Sequence, residues 1–279
     1  MTQCGGGSGN LNAALGLWTV LLLSPCCASA DPAAMVAIAG GSYQPLFRTQ
    51  PQGDSSKQQP IQVLPFSIDT YPVTQAEYRV FVESHPRWRR SAQKPIFADP
   101  GYLRSWKDDL TPAEKDRAPV TEVSWFAAKA FCASEGKRLP RAAEWEFVAL
   151  ASESVADARG DARHAARILE WYSAPNPVDG LPEVGRWKNW WGVYDLHGLI
   201  WEWVADFNSE LTTGESRGDS DVEKNLFCGA GALQASEKSR ADYAAFMRYA
   251  FRGSLQGTYT VRNLGFRCAR DGKIQLEKK

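Results

Sequence analysis

The chain has 279 residues, with 32 basic and 32 acidic side chains and a formal net charge of zero. A neutral chain without a run of Lys or Arg has no overall electrostatic attraction to nucleic acid or to an anionic membrane. The length suits one or two domains with a substantial core, and eleven Trp residues favour a loop-rich fold held together by aromatic side chains.

An apolar segment near the start predicts export. Leu15–Leu23 is too short to span a bilayer, and it is followed by the small residues Ala28-Ser29-Ala30, which are typical of signal cleavage. We predict a signal peptide over residues 1–30, cleaved near Ala30, and one domain over 31–279 in the periplasm or outside the cell, with no stable membrane span after cleavage. Two alternatives are a lipoprotein anchored at Cys26, which the preceding proline opposes, and a buried N-terminal helix.

The next segments predict strands and a first helix. Apolar and small residues alternate over Met35–Phe47 around a Gly-Gly turn, and Ile61–Val73 is a second strand region. Thr74 and Glu77 have the spacing of a capping box, so a short helix should begin there and end before Pro86.

The middle of the chain predicts two further helices separated by loops. Ser124 can cap a helix over Trp125–Ser134 with Gly136 at its C-terminal end, and another helix follows Pro140. We interpret residues 87–118 as one long, partly ordered loop and residues 153–190 as loop-rich.

The last third of the chain predicts turns and short strands. The segment "WGVYDLHGLIWEWVADF" indicates tight turns and a Trp-rich strand, and "YTVRNLGFRCAR" indicates a turn into a final strand. The sequence contains no repeat and no linker within 31–279. It therefore predicts a single α+β domain, loop-rich and with little regular secondary structure.

Several segments resemble the formylglycine-generating enzyme family, also called the sulfatase-modifying-factor family. They are "FSIDTYPVTQAEYRVFV", "PVTEVSWFAAKAFC", "GKRLPRAAEWEFVA", "GVYDLHGLIWEWVADF" and "NLGFRCAR", in that order. The resemblance implies an unusual α+β fold related to C-type lectins. It also implies a disulfide between Cys132 and Cys268, for which two separate buried thiols are the alternative.

The resemblance also indicates that an oxidase site is missing. In the copper-dependent members, two cysteines bind Cu(I), for which soft sulfur ligands are suited. Counting from the glycine turn puts the first of these positions at Gln234, and counting from Arg248 and Arg252 puts the second at Ala244. Neither side chain carries sulfur. We therefore predict that formylglycine formation by the standard mechanism does not occur.

One thiol and one carboxylate remain as ligand candidates. Cys228 could be a buried apolar cysteine, a ligand or redox thiol that leaves copper open as a cofactor, or an intermolecular disulfide partner. The family's calcium site is kept only at Glu202, because Leu199 replaces its asparagine and offers no oxygen, so the resemblance gives little support for calcium. None of the three histidines has a metal-binding spacing, and we interpret His197 as structural.

Polar residues of the C-terminal segment are the catalytic candidates: Gln234, Asp242, Tyr243, Arg248 and Arg252. The two arginines are four residues apart, so a helix would place them on one face. There they could clamp a carboxylate or phosphate of a ligand, or form internal salt bridges. Asp242 and Tyr243 could act as base and acid.

Three functions are compatible with these residues. The C-terminal segment is similar to accessory proteins found with copper nitrite reductase, which implies a periplasmic copper enzyme as partner. The resemblance also extends to a pyoverdine-maturation protein, which implies an enzyme that modifies a peptide-derived substrate. A lectin-like binding module without catalysis is the third, with Trp187, Trp190 and Trp191 as stacking candidates.

Overall fold

A three-stranded antiparallel sheet brings the two ends of the domain together in the computed structural model, which describes residues 34–44, 60–208 and 237–272. All of these residues belong to one compact unit, Asp31–Lys279. The sheet has the order β1-β4-β7, with β1 over Met35–Ile38, β4 over Phe66–Asp69 and β7 over Ala269–Asp271. Met35 pairs with Asp69, and Phe66 pairs with Asp271.

Two smaller sheets complete the strand structure. Strands β2 (Gly41–Tyr43) and β3 (Ile61–Val63) form an antiparallel pair, and β5 (Trp201–Glu202) runs parallel to β6 (Leu264–Gly265). The Gly-Gly turn before β2 is present. A side chain at Gly40 would meet the carbonyl oxygen of Val63 at 2.3 Å, and its φ of +78° also favours glycine. The predicted strand over Ile61–Val73 is two short strands, and residues 45–47 lie outside the described residues.

Five α-helices lie within the described residues: α1 over Gln75–Ser84, α2 over Trp125–Ser134, α3 over Ala142–Ala149, α4 over Ala162–Ser173 and α5 over Glu237–Gly253. Short 3₁₀ turns follow α1 at Pro86–Trp88 and Arg90–Ala92. The starts of α1 and α2 are the predicted ones, with a complete capping box at Thr74 and a side-chain cap from Ser124. Gly136 lies one residue beyond the cap of α2 with a φ of +62°.

Helix α4 corrects the interpretation of residues 153–190 as loop-rich. The carboxylate of Asp161 accepts hydrogen bonds from the backbone N–H groups of Arg163 and His164, which caps the first turn. Ala165 and Ile168, three residues apart, are buried on one face. The Gly and Pro residues on either side of this segment favoured a loop interpretation, although the segment forms a well-capped amphipathic helix.

The largest core cluster packs α1 and α2 against the C-terminal strands. Tyr78, Phe131 and Phe266 form mutual ring contacts in it, with centroids between 5.3 and 6.1 Å apart. A disulfide joins Cys132 of α2 to Cys268, as the resemblance implies, and both residues are fully buried. This bond closes a loop with a sequence separation of 136 residues and fixes α2 to the end of the chain.

Helices long and apolar enough to cross a bilayer do not occur in the part of the chain that the structure describes.

Candidate functional site

Two arginines of α5 and one glutamate of α3 form a buried ionic cluster. Arg248 donates from Nε to Glu146 Oε1 at 3.0 Å and from Nη2 to Oε2 at 2.7 Å, and Arg252 donates from Nη1 to Oε1 at 2.6 Å. Glu146 is 3% exposed and each arginine is 6% exposed. The four-residue spacing does place both guanidinium groups on one face of a helix, as predicted.

This cluster sets the protonation state of Glu146. Burial disfavours the charged carboxylate, but the guanidinium groups of Arg248 and Arg252 outweigh that effect and lower the pKa of Glu146 to about 2. Glu146 is therefore ionised at neutral pH and faces two positive charges. Of the two roles open to the arginines, the structure shows the internal salt bridge, which attaches α5 to α3.

Trp145 connects this cluster to a second buried ion pair. The guanidinium carbons of Arg248 and Arg252 lie 5.8 and 4.8 Å from the centre of its ring, within cation–π range. Its indole Nε1 donates to Glu202 Oε2 at 2.7 Å. Arg267 binds the same carboxylate with two hydrogen bonds of 2.8 and 2.7 Å, and both side chains of this pair are fully buried.

Aromatic rings surround a small pocket beside the ionic cluster. Trp201 is the central ring, with its centroid 4.7 Å from Tyr172, 4.4 Å from Phe251 and 5.3 Å from Trp171. All four rings are partly exposed, and they line the pocket together with Trp145, His197, Glu202 and the two arginines. The hydroxyl of Tyr172 also accepts a hydrogen bond of 3.2 Å from Arg248. The pocket thus offers aromatic surface above charges that are already paired.

Comparison with known proteins identifies the family. Residues 23–272 match the model of the sulfatase-modifying factor enzyme 1-like domain. The chain belongs to the formylglycine-generating enzyme (sulfatase-modifying factor) family. Its loop-rich α+β architecture is the fold of that family.

Relatives in this family carry different activities in their names. The inactive Cα-formylglycine-generating enzyme 2 of Bos taurus is 28% identical over 84% of this chain and 87% of its own length. The formylglycine-generating enzyme of Bos taurus is 27% identical over 74% of this chain and 66% of its own length. The hercynine oxygenase of Mycolicibacterium smegmatis is 32% identical over 50% of this chain and 37% of its own length. Family membership alone therefore does not assign an activity.

The positions at which the resemblance places copper-binding cysteines hold no thiol. Gln234 and Cys228 lie outside the described residues, and Ala244 is a buried methyl side chain in α5. Because Cys132 and Cys268 are bonded to each other, Cys228 is the single remaining cysteine of residues 31–279. A pair of thiolates from this domain is therefore not available to a copper ion.

Glu202, the one retained position of the family's calcium site, has another role in this structure. The Glu202 carboxylate is engaged by Arg267 and Trp145, and Leu199 is a buried apolar neighbour with no oxygen on its side chain. A calcium ion would need oxygen ligands that these residues do not offer. Among the described residues, no three His, Cys, Asp or Glu side chains come together as a metal site. Glu202 is thus a structural ion-pair partner.

The remaining catalytic candidates do not assemble around the pocket. Tyr243 stacks on Phe246 at 6.2 Å, one turn along α5, and it does not line the pocket. The backbone of Asp242 lies in α5, and the description does not extend to its side chain.

The tryptophan stacking candidates differ in exposure. Trp187 and Trp190 are 40% and 56% exposed, whereas Trp191 packs on Phe147 at 5.6 Å.

Sequence reasoning missed the two residues that define the site. Glu146 is the carboxylate that both arginines bind, and Tyr172 lies on α4, in the segment that was interpreted as loop-rich. One signal for Glu146 is present in the sequence, since it stands between Trp145 and Phe147 in a helix whose only other charged residue is Glu144. A buried carboxylate of this kind requires a cationic partner.

Proposed function

We propose that this chain is a non-catalytic accessory protein of the formylglycine-generating enzyme family that acts outside the cytoplasm by binding a partner protein. The observation that carries the proposal is that Arg248 and Arg252 both form ion pairs with Glu146. Their positive charges hold the scaffold together and are not left for a substrate. The single thiol in residues 31–279 after disulfide formation, and the relative named as inactive, also support a binding role.

The aromatic pocket is the proposed contact surface. Partly exposed Trp and Tyr side chains supply large contact area at low entropic cost, and such residues dominate the energetics of protein interfaces. Trp201 packs on both Trp171 and Phe251, so these rings are already ordered before a partner binds. A rigid aromatic surface of this kind suits an apolar side chain of the partner that packs against it.

The partner that we propose is a periplasmic copper enzyme of the nitrite reductase type. Its support is the resemblance of the C-terminal segment to accessory proteins found with that enzyme. Copper itself could reach such a complex through Cys228, which is the one cysteine of residues 31–279 outside the disulfide. Export through the N-terminal segment is part of this proposal, because the partner is located outside the cytoplasm.

Direct binding to purified copper nitrite reductase tests the proposal. We expect saturable binding by biolayer interferometry, weakened at least tenfold by Trp171→Ala and by Phe251→Ala. The matched control is Trp190→Ala, which removes an exposed tryptophan outside the pocket and should leave the affinity within twofold. Thermal unfolding of each variant verifies that the fold is retained. Absence of binding by the unmodified protein, or equal binding by the pocket variants, would contradict the proposal.

A second candidate function is an enzyme of different modifying chemistry. The observation that favours it is the 32% identity to a relative named as an oxygenase, which indicates that this fold supports other oxidations. A peptide-derived substrate would then enter the same pocket. Mass spectrometry of peptides incubated with the protein and oxygen would reveal a new product, and a product abolished by Tyr172→Phe would favour this candidate over the accessory role.

A further inference from the structure

Two half-buried histidines meet in a second pocket that the proposed function does not use. His164 of α4 and His197 line this pocket, with their ring centroids 5.9 Å apart and their planes inclined by 74°. His164 Nε2 and His197 Nδ1 are both buried, and neither has a hydrogen-bond partner among the described residues. A buried polar atom without a hydrogen-bond partner is unfavourable, so two of them in one pocket require a physical explanation.

The neighbours of each ring determine which nitrogen carries hydrogen. His197 Nε2 lies 3.0 Å from the carbonyl oxygen of Ala149, which only accepts, so this nitrogen donates and Nδ1 presents a lone pair. His164 Nδ1 lies 3.4 Å from Nη2 of Arg167, which only donates, so Nδ1 accepts and Nε2 carries the hydrogen. One ring therefore offers a donor to the pocket and the other offers an acceptor.

Both rings are neutral in this environment. Burial lowers the pKa of His197 well below its ordinary value, with further contributions from Arg248 and His164. Burial also lowers the pKa of His164, and Arg167 adds to the effect. The donor and acceptor assignment therefore holds at neutral pH.

The spacing admits one oxygen atom as a bridge. Two hydrogen bonds of about 2.8 Å that meet at an oxygen at a tetrahedral angle span roughly 4.5 Å, which is compatible with ring centroids 5.9 Å apart. A hydroxyl group can accept from His164 Nε2 and donate to His197 Nδ1. A carboxylate would set its lone pairs against Nδ1, and an ammonium group could not accept from Nε2.

A metal ion is a poor match to the same two nitrogens. It would need a bare Nε2 on His164, but the bond from Arg167 to Nδ1 holds the hydrogen on Nε2. The positive charges of Arg167 and Arg248 also act on these rings, as their effects on the two pKa values show. Both effects oppose a cation.

The rim of the pocket provides an aromatic surface. Trp187 lines it, and the guanidinium carbon of Arg167 lies 4.4 Å above the Trp187 ring, while Arg167 is also paired with Glu153. Trp187 remains 40% exposed, so part of its surface is available to the carbon skeleton of a ligand. A pair of imidazoles that binds a hydroxyl group, beside an aromatic surface, suits a polyhydroxylated ligand.

We propose that the pocket between His164 and His197 binds a neutral polyhydroxylated small molecule, a sugar or polyol, by bridging one of its hydroxyl groups between the two imidazoles. The site shares His197 with the pocket beside the ionic cluster, but His164 and Trp187 line only this second pocket. The proposal does not depend on the accessory role.

Nuclear magnetic resonance of the full chain with ¹⁵N-labelled histidine tests the assignment of the ring hydrogens and the binding of a hydroxyl group. Long-range ¹H–¹⁵N spectra should show His164 and His197 as neutral rings with hydrogen on Nε2. Titration with glucose or glycerol should shift both sets of ring signals in a saturable manner, whereas acetate, methylammonium and Zn²⁺ should not. In His197→Phe the affinity should fall at least tenfold, and in the control His85→Gln it should stay within twofold.

Several outcomes of this experiment would overturn the proposal. One is a shift caused only by acetate or Zn²⁺. Another is no shift with either hydroxyl probe, which would leave water as the occupant. The third is hydrogen on Nδ1 of either ring. The spectra of the unmodified protein decide these points alone, so the proposal stays testable if the His197→Phe variant does not fold.

Discussion

Replacing Glu146 by Gln should destabilise the domain strongly. The substitution keeps the shape of the side chain but leaves Arg248 and Arg252, each 6% exposed, without a counter-charge. Breaking a buried ion pair by removing one partner costs about 3–5 kcal/mol, because the remaining charge is buried and unpaired. We expect a loss of this size in the free energy of unfolding, measured by urea denaturation followed by circular dichroism.

Two further variants separate charge from packing. In Glu153→Gln, the lost pair with Arg167 is half exposed, so the expected change is below about 1 kcal/mol. In the triple variant Glu146→Leu, Arg248→Met and Arg252→Met, this cluster no longer buries any charge, so the loss should be much smaller than in Glu146→Gln. The reasoning is refuted if Glu146→Gln costs less than about 1 kcal/mol, or if the triple variant is equally destabilised.

The cluster of Glu146 with Arg248 and Arg252 predicts a stability that falls as pH falls. The pKa of Glu146 falls from 4.5 to about 2 on folding, so its stabilising effect is complete above pH 4.5 and is lost as pH falls toward 2. A shift of this size corresponds to about 3 kcal/mol. The difference in free energy of unfolding between the unmodified protein and Glu146→Gln should therefore decrease by about that amount across this range. A difference that does not change with pH would contradict the assignment.

Two other predictions concern the second ion pair and the disulfide. Glu202→Gln should lower the free energy of unfolding by about 3–5 kcal/mol, because it leaves the fully buried Arg267 unpaired, and calcium should not raise the melting temperature of the unmodified protein. A calcium-dependent rise above 2 °C would show that the carboxylate does bind the ion. Replacing Cys132 and Cys268 together by Ala should cost about 2–5 kcal/mol in a calorimetric or denaturant measurement, and equal stability would refute a stabilising disulfide.

Local signals in the sequence predicted much of the fold but only part of the site. The caps at Thr74 and Ser124 depend on residues three positions apart, so their geometry follows from the sequence directly. The common face of Arg248 and Arg252 was predictable for the same reason. Their partner Glu146 is 102 residues away from Arg248, and no local pattern connects them. Helix α4 was missed because its flanking Gly and Pro residues suggested a loop.

Glu202 also shows that an ion-pair partner distant in sequence cannot be predicted from local patterns. The resemblance leaves Glu202 in "WEW" as the one retained position of a calcium site that it otherwise gives little support. The structure shows the oxygens of Glu202 bound by Arg267, which lies 65 residues further along the chain. Tertiary pairing thus decides whether a carboxylate at a motif position is a metal ligand or a structural ion-pair partner. That information is carried by contacts that only the folded chain reveals.

The most direct measurement is an assay for copper-dependent oxidation of a cysteine peptide. The full protein would be loaded with Cu(I) and incubated with oxygen and a sulfatase-type peptide, alongside Cys228→Ser and a Cu(I)-only blank. Because residues 31–279 cannot supply two thiolates, we predict that formylglycine formation, followed by mass spectrometry, does not exceed the blank. Formylglycine that requires copper and disappears in Cys228→Ser would contradict the non-catalytic role and would identify this thiol as the metal ligand of an active oxidase.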